Sequence, residues 1–283
     1  MAFPIVIAII QTLVFFSAYR YEPPVFLYLR NQEDEARKAL AVVYDEDYID
    51  QEMSRIMGEN TKSVDMDGSA EHDEEVTYSK VLCQRKYRKE MFIGNLLSFF
   101  QQTTGINAIM FYSSALFTTA GAGSIAAELT VVVGAINMGS TLLGMPFVDK
   151  YGRRILLIIG YIGMFASEVL TGILALTDVA MYAQIALIFV FIIFFELSVG
   201  PLMWLYAGEI MTDKGMGVAS MVNWTVVIIV SAVSYFMFNV LKIGPTLLMY
   251  GAFSFMGLIF VIGWVFETKG MTKEEINMKL RAR

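Results

Sequence analysis

The chain has 283 residues, 56% of them hydrophobic before its 22 glycines are counted, with only 17% charged and a formal net charge of −6. Soluble domains average roughly 45–50% apolar with glycine included and roughly 25% charged, so the composition excludes a soluble fold and points to a membrane protein. An acidic chain without a basic patch has no footprint for nucleic acid. A single cysteine (Cys83) rules out an internal disulfide, and a single histidine (His72) leaves no His-based metal or catalytic cluster, so neither an enzyme nor a cofactor is expected.

A bilayer core needs about 20 mostly apolar residues per helix. Seven stretches qualify: Ala2–Ala18, Met91–Phe117, Ile125–Val148, Ile155–Leu176, Met181–Ala207, Val218–Leu241 and Pro245–Phe266. The first has no positive region ahead of it, so it reads as a span and not as a signal peptide. The predicted fold class is an all-α membrane protein with about seven transmembrane helices.

Between the first two stretches, Tyr19 to Glu90 carries 11 Lys/Arg and 17 Asp/Glu, while the rest of the chain carries 10 of each. If this segment is cytoplasmic, nearly every Lys and Arg falls on the inner side. Lys150, Arg153, Arg154, Lys214 and the tail cations lie there, against Lys242 alone outside. The positive-inside bias then sets the N-terminus outside and the C-terminus inside, with the plasma membrane the expected location. Within the segment, 31–58 has Ala36, Leu40 and Val43 at helical spacing among charged residues, which predicts short amphipathic helices. Residues 59–75 are acidic and poor in large apolar side chains, and are expected to be a flexible linker. The predicted organisation is a span over 1–18, a cytoplasmic helical linker over 19–90, a six-helix body over 91–266 and a cytoplasmic tail over 267–283.

Polar groups at bilayer depth are costly and point to function. The second stretch carries Gln101-Gln102-Thr103-Thr104-Gly105-Ile106-Asn107, followed by Phe111-Tyr112. Amides both donate and accept, which suits a neutral polyhydroxylated ligand. In a straight helix Gln101 and Asn107 would point roughly 120° apart, so a bend near Thr103–Gly105 is needed for both to face one cavity. The fifth stretch has Glu196, then Gly200-Pro201, whose missing N–H interrupts the helix, then Trp204, an indole donor with a flat face. Asn137 and Asn223 add polar groups from two more stretches. At the inner ends, Asp149-Lys150-Tyr151-Gly152-Arg153-Arg154 and Glu209 supply the parts of a charge latch.

These residues resemble the sugar porter family of the major facilitator superfamily. Gln101-Gln102-x-x-Gly105-x-Asn107-x-x-x-Phe111-Tyr112 is similar to its seventh-span motif, and Asp149-x-x-Gly152-Arg153-Arg154 to its loop after span eight. Glu196 through Trp204 resembles span ten, and Asn223-Trp224 span eleven. Glu267-Thr268-Lys269-Gly270 resembles the tail motif, and Glu22-Pro23-Pro24-Val25-Phe26 the end of span six. The resemblance implies span six, the helical linker and the C-terminal six-helix half of a transporter that works by alternating access on a hexose or related monosaccharide. Gln101, Gln102, Asn107, Asn137, Glu196, Trp204 and Asn223 would face the sugar. Phe111, Tyr112, Gly200 and Pro201 would gate it, and Asp149, Arg153, Arg154 and Glu209 would form the inner latch. The implied partners are the bilayer and either the missing N-terminal half or a second copy; the alternative is a non-transporting half that senses sugar or regulates another membrane protein. The chain departs from the family at Phe111 (usually Tyr), Met203 (a second Pro) and Met216 (an Arg). Glu168 matches no family motif, and is expected to be protonated or to face a partner.

Overall fold

A computed structural model describes residues 9–14, 22–65, 77–177 and 179–282, with no side-chain detail for 29, 58–65, 145 and 149. The span expected over Ala2–Ala18 lies outside the described residues except for 9–14, which are helical; His72 and the linker beyond Asp65 also lie outside them. The chain divides at residues 75/76 into two compact units.

Beyond the helical residues 9–14, the described part of the first unit holds α1 (Pro24–Leu29), α2 (Glu33–Leu40) and α3 (Glu46–Asp65). Pro24 stands in the first turn of α1, where the missing N–H costs nothing. Leu27, Ala36, Ala39, Leu40, Met53 and Ile56 form a small core, and Arg37 donates to Asp50 at 2.5 Å between α2 and α3. One expectation is corrected here. α2 stops at Leu40, so Val43 falls beyond it and is exposed. α3 continues to Asp65, seven residues into the segment 59–75.

The second unit begins with α4 (Tyr78–Cys83), whose Val81 is buried in the main core; residues 77–90 thus pack with the helical body, although their charge had grouped them with the linker. Then follow α5 (Arg88–Thr103), α6 (Ile106–Phe117), α7 (Ala126–Tyr151), α8 (Arg153–Leu176), α9 (Met181–Leu197), α10 (Val199–Ile210), α11 (Asp213–Val240), α12 (Ile243–Trp264) and α13 (Lys273–Ala282). Among the described residues, five helical stretches are long and apolar enough to cross a membrane: Arg85–Val148, Arg153–Leu176, Met181–Ile210, Asp213–Val240 and Ile243–Trp264. The first folds back on itself near Gly121 (φ 101°), so that α6 and α7 pack together. Leu142, Leu143, Ile159, Ile228 and Ile259 point outward, the apolar exterior that a bilayer requires.

Close helix crossings rest on small residues. Where α8 meets α12, a Cβ on Gly172 would stand 3.0 Å from the carbonyl oxygen of Gly244, and one on Gly244 3.1 Å from that of Gly172. Side-chain-free contact lets the two backbones approach, and within lipid such packing replaces the absent hydrophobic drive between helices.

Candidate substrate-binding site

Two interrupted helices shape the site. α5 ends at Thr103 and α6 restarts at Ile106, with Gly105 between them in the left-handed region at φ 77°. The Tyr250 ring lies against Gly105, where a Cβ would be 2.6 Å from ring carbon. The bend required by the spacing of Gln101 and Asn107 is therefore present. α9 ends at Leu197 and α10 begins at Val199, the break falling on Ser198 (φ −137°, ψ −91°). Gly200-Pro201 thus sits in the first turn of α10, where proline is tolerated, and not in a helix interior.

Across these breaks the amides close a network. Gln101 Nε2 donates to the carbonyls of Val199 (3.2 Å) and Gly200 (2.8 Å). Its Oε1 accepts from Asn223 Nδ2 at 2.6 Å and from Gln102 Nε2 at 3.3 Å. Gln102 Nε2 also donates to Asn223 Oδ1 at 3.0 Å, and Gln102 Oε1 accepts from Asn107 Nδ2 at 2.5 Å. Gln101, Gln102 and Asn223 are 2%, 8% and 1% exposed, so these are interior bonds and not surface ones. Four amides from α5, α6 and α11 are held against the start of α10.

A second group lies on the other side of the Ser198 break. Glu196 accepts from Asn137 Nδ2 at 2.6 Å and from Thr141 Oγ1 at 2.8 Å, both on α7. Thr141 was missed in the sequence; it lies one turn beyond Asn137 on the same face, and that spacing was the available signal. Trp204 is half-buried one turn beyond Gly200. Phe111 is 64% exposed, while Tyr112 beside it donates to the carbonyl of Ser231 at 3.2 Å and packs near Phe238.

At the other end of α8, Arg153 Nε and Nη2 donate to Glu209 Oε1 at 2.9 and 2.8 Å. Thr268 Oγ1 donates to Glu209 Oε2 at 2.5 Å. Arg154 takes no part in this pair: its Nη2 donates to the carbonyl of Ile262 at 2.9 Å, because its neighbour already occupies the acid. The Asp149 side chain lies outside the described residues. Sequence reasoning left Glu267 out of the latch, yet its carboxylate accepts from the backbone N–H groups of Arg153 (2.9 Å), Arg154 (3.1 Å) and Lys269 (3.1 Å). An acid over the first turn of α8 satisfies donors that have no partner within the helix and complements the helix dipole. Replacing Glu209 with alanine strands Arg153 and Thr268 together. The expected loss is about 1.5–3 kcal/mol of stability, read as a lower thermal midpoint of the purified protein; an unchanged midpoint would mean the pair holds nothing.

The model of the sugar (and other) transporter family matches residues 1–280. The chain is similar to the facilitated trehalose transporter Tret1 of Drosophila willistoni, 32% identical over 275 residues, which are 93% of this chain and 31% of that protein. It is similar to the glucose transporter GlcP of Staphylococcus epidermidis, 33% identical over 93% of this chain and 58% of that one. Among solved structures it resembles the proton:xylose symporter XylE bound to 6-bromo-6-deoxy-D-glucose, with TM-score 0.77, 25% identity, and coverage of 96% of this chain and 57% of that one. It also resembles the partially occluded inward-open form of XylE from E. coli (TM-score 0.72, 24% identity). The chain thus spans about a third to three-fifths of the length of these relatives, which are transporters and not enzymes. With its apolar helices and its family match over nearly every residue, the chain is an integral, multi-pass membrane protein belonging to the sugar (and other) transporter family of the major facilitator superfamily.

Proposed function

We propose that this chain forms the sugar-holding C-terminal half of a transporter that moves a hexose or related monosaccharide by alternating access. The observation that carries this reading is the amide network of Gln101, Gln102, Asn107 and Asn223 at two helix breaks. Buried amides are both donors and acceptors, as a sugar hydroxyl is, and a broken helix supplies backbone groups without side chains in the way. Glu196, with Asn137, offers acceptor oxygens from the far side of the Ser198 break, and Trp204 a face for the apolar side of a pyranose ring. Phe111 and Tyr112 gate the outer end, and the Ser198 break, just ahead of Gly200 and Pro201 in the first turn of α10, lets α10 swing relative to α9. Arg153 and Glu209, with Asp149 beside them in the sequence, latch the inner ends, while Arg154 ties the start of α8 to the end of α12. The relatives' names support a sugar as the cargo, spanning glucose, xylose and trehalose. The functional unit requires an N-terminal half or a second copy, sits in the plasma membrane and keeps its C-terminus in the cytoplasm, as the positive-inside count directs.

The test is uptake of labelled D-glucose by cells expressing the complete protein. The expected result is saturable uptake, competed by unlabelled hexose. Uptake indistinguishable from untransfected cells for glucose, xylose and related monosaccharides would sink the reading.

A further inference from the structure

Glu168 lies midway along α8, 2% exposed. Its Oε2 accepts from Ser254 Oγ of α12 at 2.6 Å, and its Oε1 is buried without a hydrogen-bond partner. Among the described residues no cation stands near enough to offset a charge there: Arg153 and Arg154 are about 21 Å away along the helix, Lys150 of α7 precedes them by three residues at the same end, and α9, α10 and α12 carry neither Lys nor Arg. The other ionisable groups on the packed elements are turned elsewhere or are neutral. Glu196 of α9 is held by Asn137 and Thr141, Glu209 of α10 by Arg153, and Glu128 of α7 is exposed. Tyr250 of α12 and Tyr161 on α8 itself are phenols. An ionised carboxylate with one hydroxyl partner in such surroundings costs several kcal/mol, whereas a carboxylic acid is bound there at far smaller expense.

Ser254 is one turn beyond Tyr250 on α12. Tyr250 presses its ring on Gly105, the hinge between α5 and α6, and hydrogen-bonds Ser234 of α11 through its hydroxyl. The residue that touches Glu168 is therefore fixed to the residue that backs the hinge of the amide network.

We propose that Glu168 is a proton-binding site, whose carboxylic acid bridges α8 to Ser254 and through α12 keeps Tyr250 against the Gly105 hinge. The ligand is a proton; the consequence for sugar binding rests on the function proposed above, and the proton site itself does not.

Infrared spectra of the purified full chain test it directly. The wild type should show a protonated-carboxyl carbonyl band near neutral pH that is lost in Glu168→Gln, an isostere of the neutral acid. If Glu168→Gln does not fold, Ser254→Ala must shift the same band, since it removes the hydroxyl and leaves the acid. No band lost in Glu168→Gln, or no shift in Ser254→Ala, overturns the proposal. D-glucose binding on the same samples separates the two readings. In the complete protein, a band with neither D-glucose nor D-xylose nor a related monosaccharide bound at any pH keeps the proton site and removes the sugar reading, and sugar bound with no band does the reverse. Where both are present, glucose affinity should weaken at least threefold as the pH is raised through the loss of the Glu168 carbonyl band, and Glu168→Gln should abolish that change. Superimposable wild-type and Glu168→Gln profiles overturn the link to the hinge.

Discussion

Gln101→Ala is expected to lower sugar affinity at least tenfold, about 1.4 kcal/mol, in equilibrium binding of D-glucose to the complete protein. The truncation removes a donor shared by two backbone carbonyls and an acceptor shared by Gln102 and Asn223. Leaving those interior groups unmatched costs more than the lost bonds themselves. Asn223→Ala should be strongly non-additive with it, because the two side chains share one 2.6 Å bond and the second truncation finds it already gone. Unchanged affinity in Gln101→Ala, with normal expression, removes this residue from the site.

The largest expected loss of stability comes from Gly152→Ala. Gly152 connects α7 to α8 at φ 87° and ψ 166°, a conformation that is essentially restricted to glycine. A Cβ there would also stand 2.6–2.8 Å from the Glu267 carboxylate, which caps the first turn of α8. Backbone strain and a displaced cap together are expected to cost about 3 kcal/mol or more. Combining the change with Glu267→Ala separates the two parts: if the clash matters, Gly152→Ala costs less once the carboxylate is absent. Equal costs in both backgrounds would leave backbone strain as the whole effect.

Much of the fold was legible because lipid demands long apolar helices, and such helices are plain in a sequence. The bend at Gly105 was legible from the mismatch between the spacing of Gln101 and Asn107 and a straight helix. The second break was read close to its true position but two residues late. Gly200-Pro201 marks it in the sequence, while the backbone departs from helix at Ser198, since a proline is best accommodated just after a new start. The carboxylate of Glu267 over α8 was not legible as a cap: it acts on residues 113 and 114 positions earlier, and no local spacing reports that distance. Arg153 and Arg154 are chemically equivalent in the sequence. The direction each takes from the helix start sends one to Glu209 and the other to the carbonyl of Ile262. At residues 77–90, charge density was a poor guide. One buried Val81 suffices to tie α4 to the body.

The amide network of Gln101, Gln102, Asn107 and Asn223 is bonded to itself and to backbone. A hydroxyl entering it exchanges one bond for another of the same kind, and the gain per exchange is only the small difference between them. Occupancy of such a site is cheap to begin and cheap to end. A carrier that had to strip its cargo from stranded charges would load well and unload slowly. If the proposed function holds, these four side chains would instead reclose on one another as the cargo leaves, and that would return the empty protein to the start of its cycle.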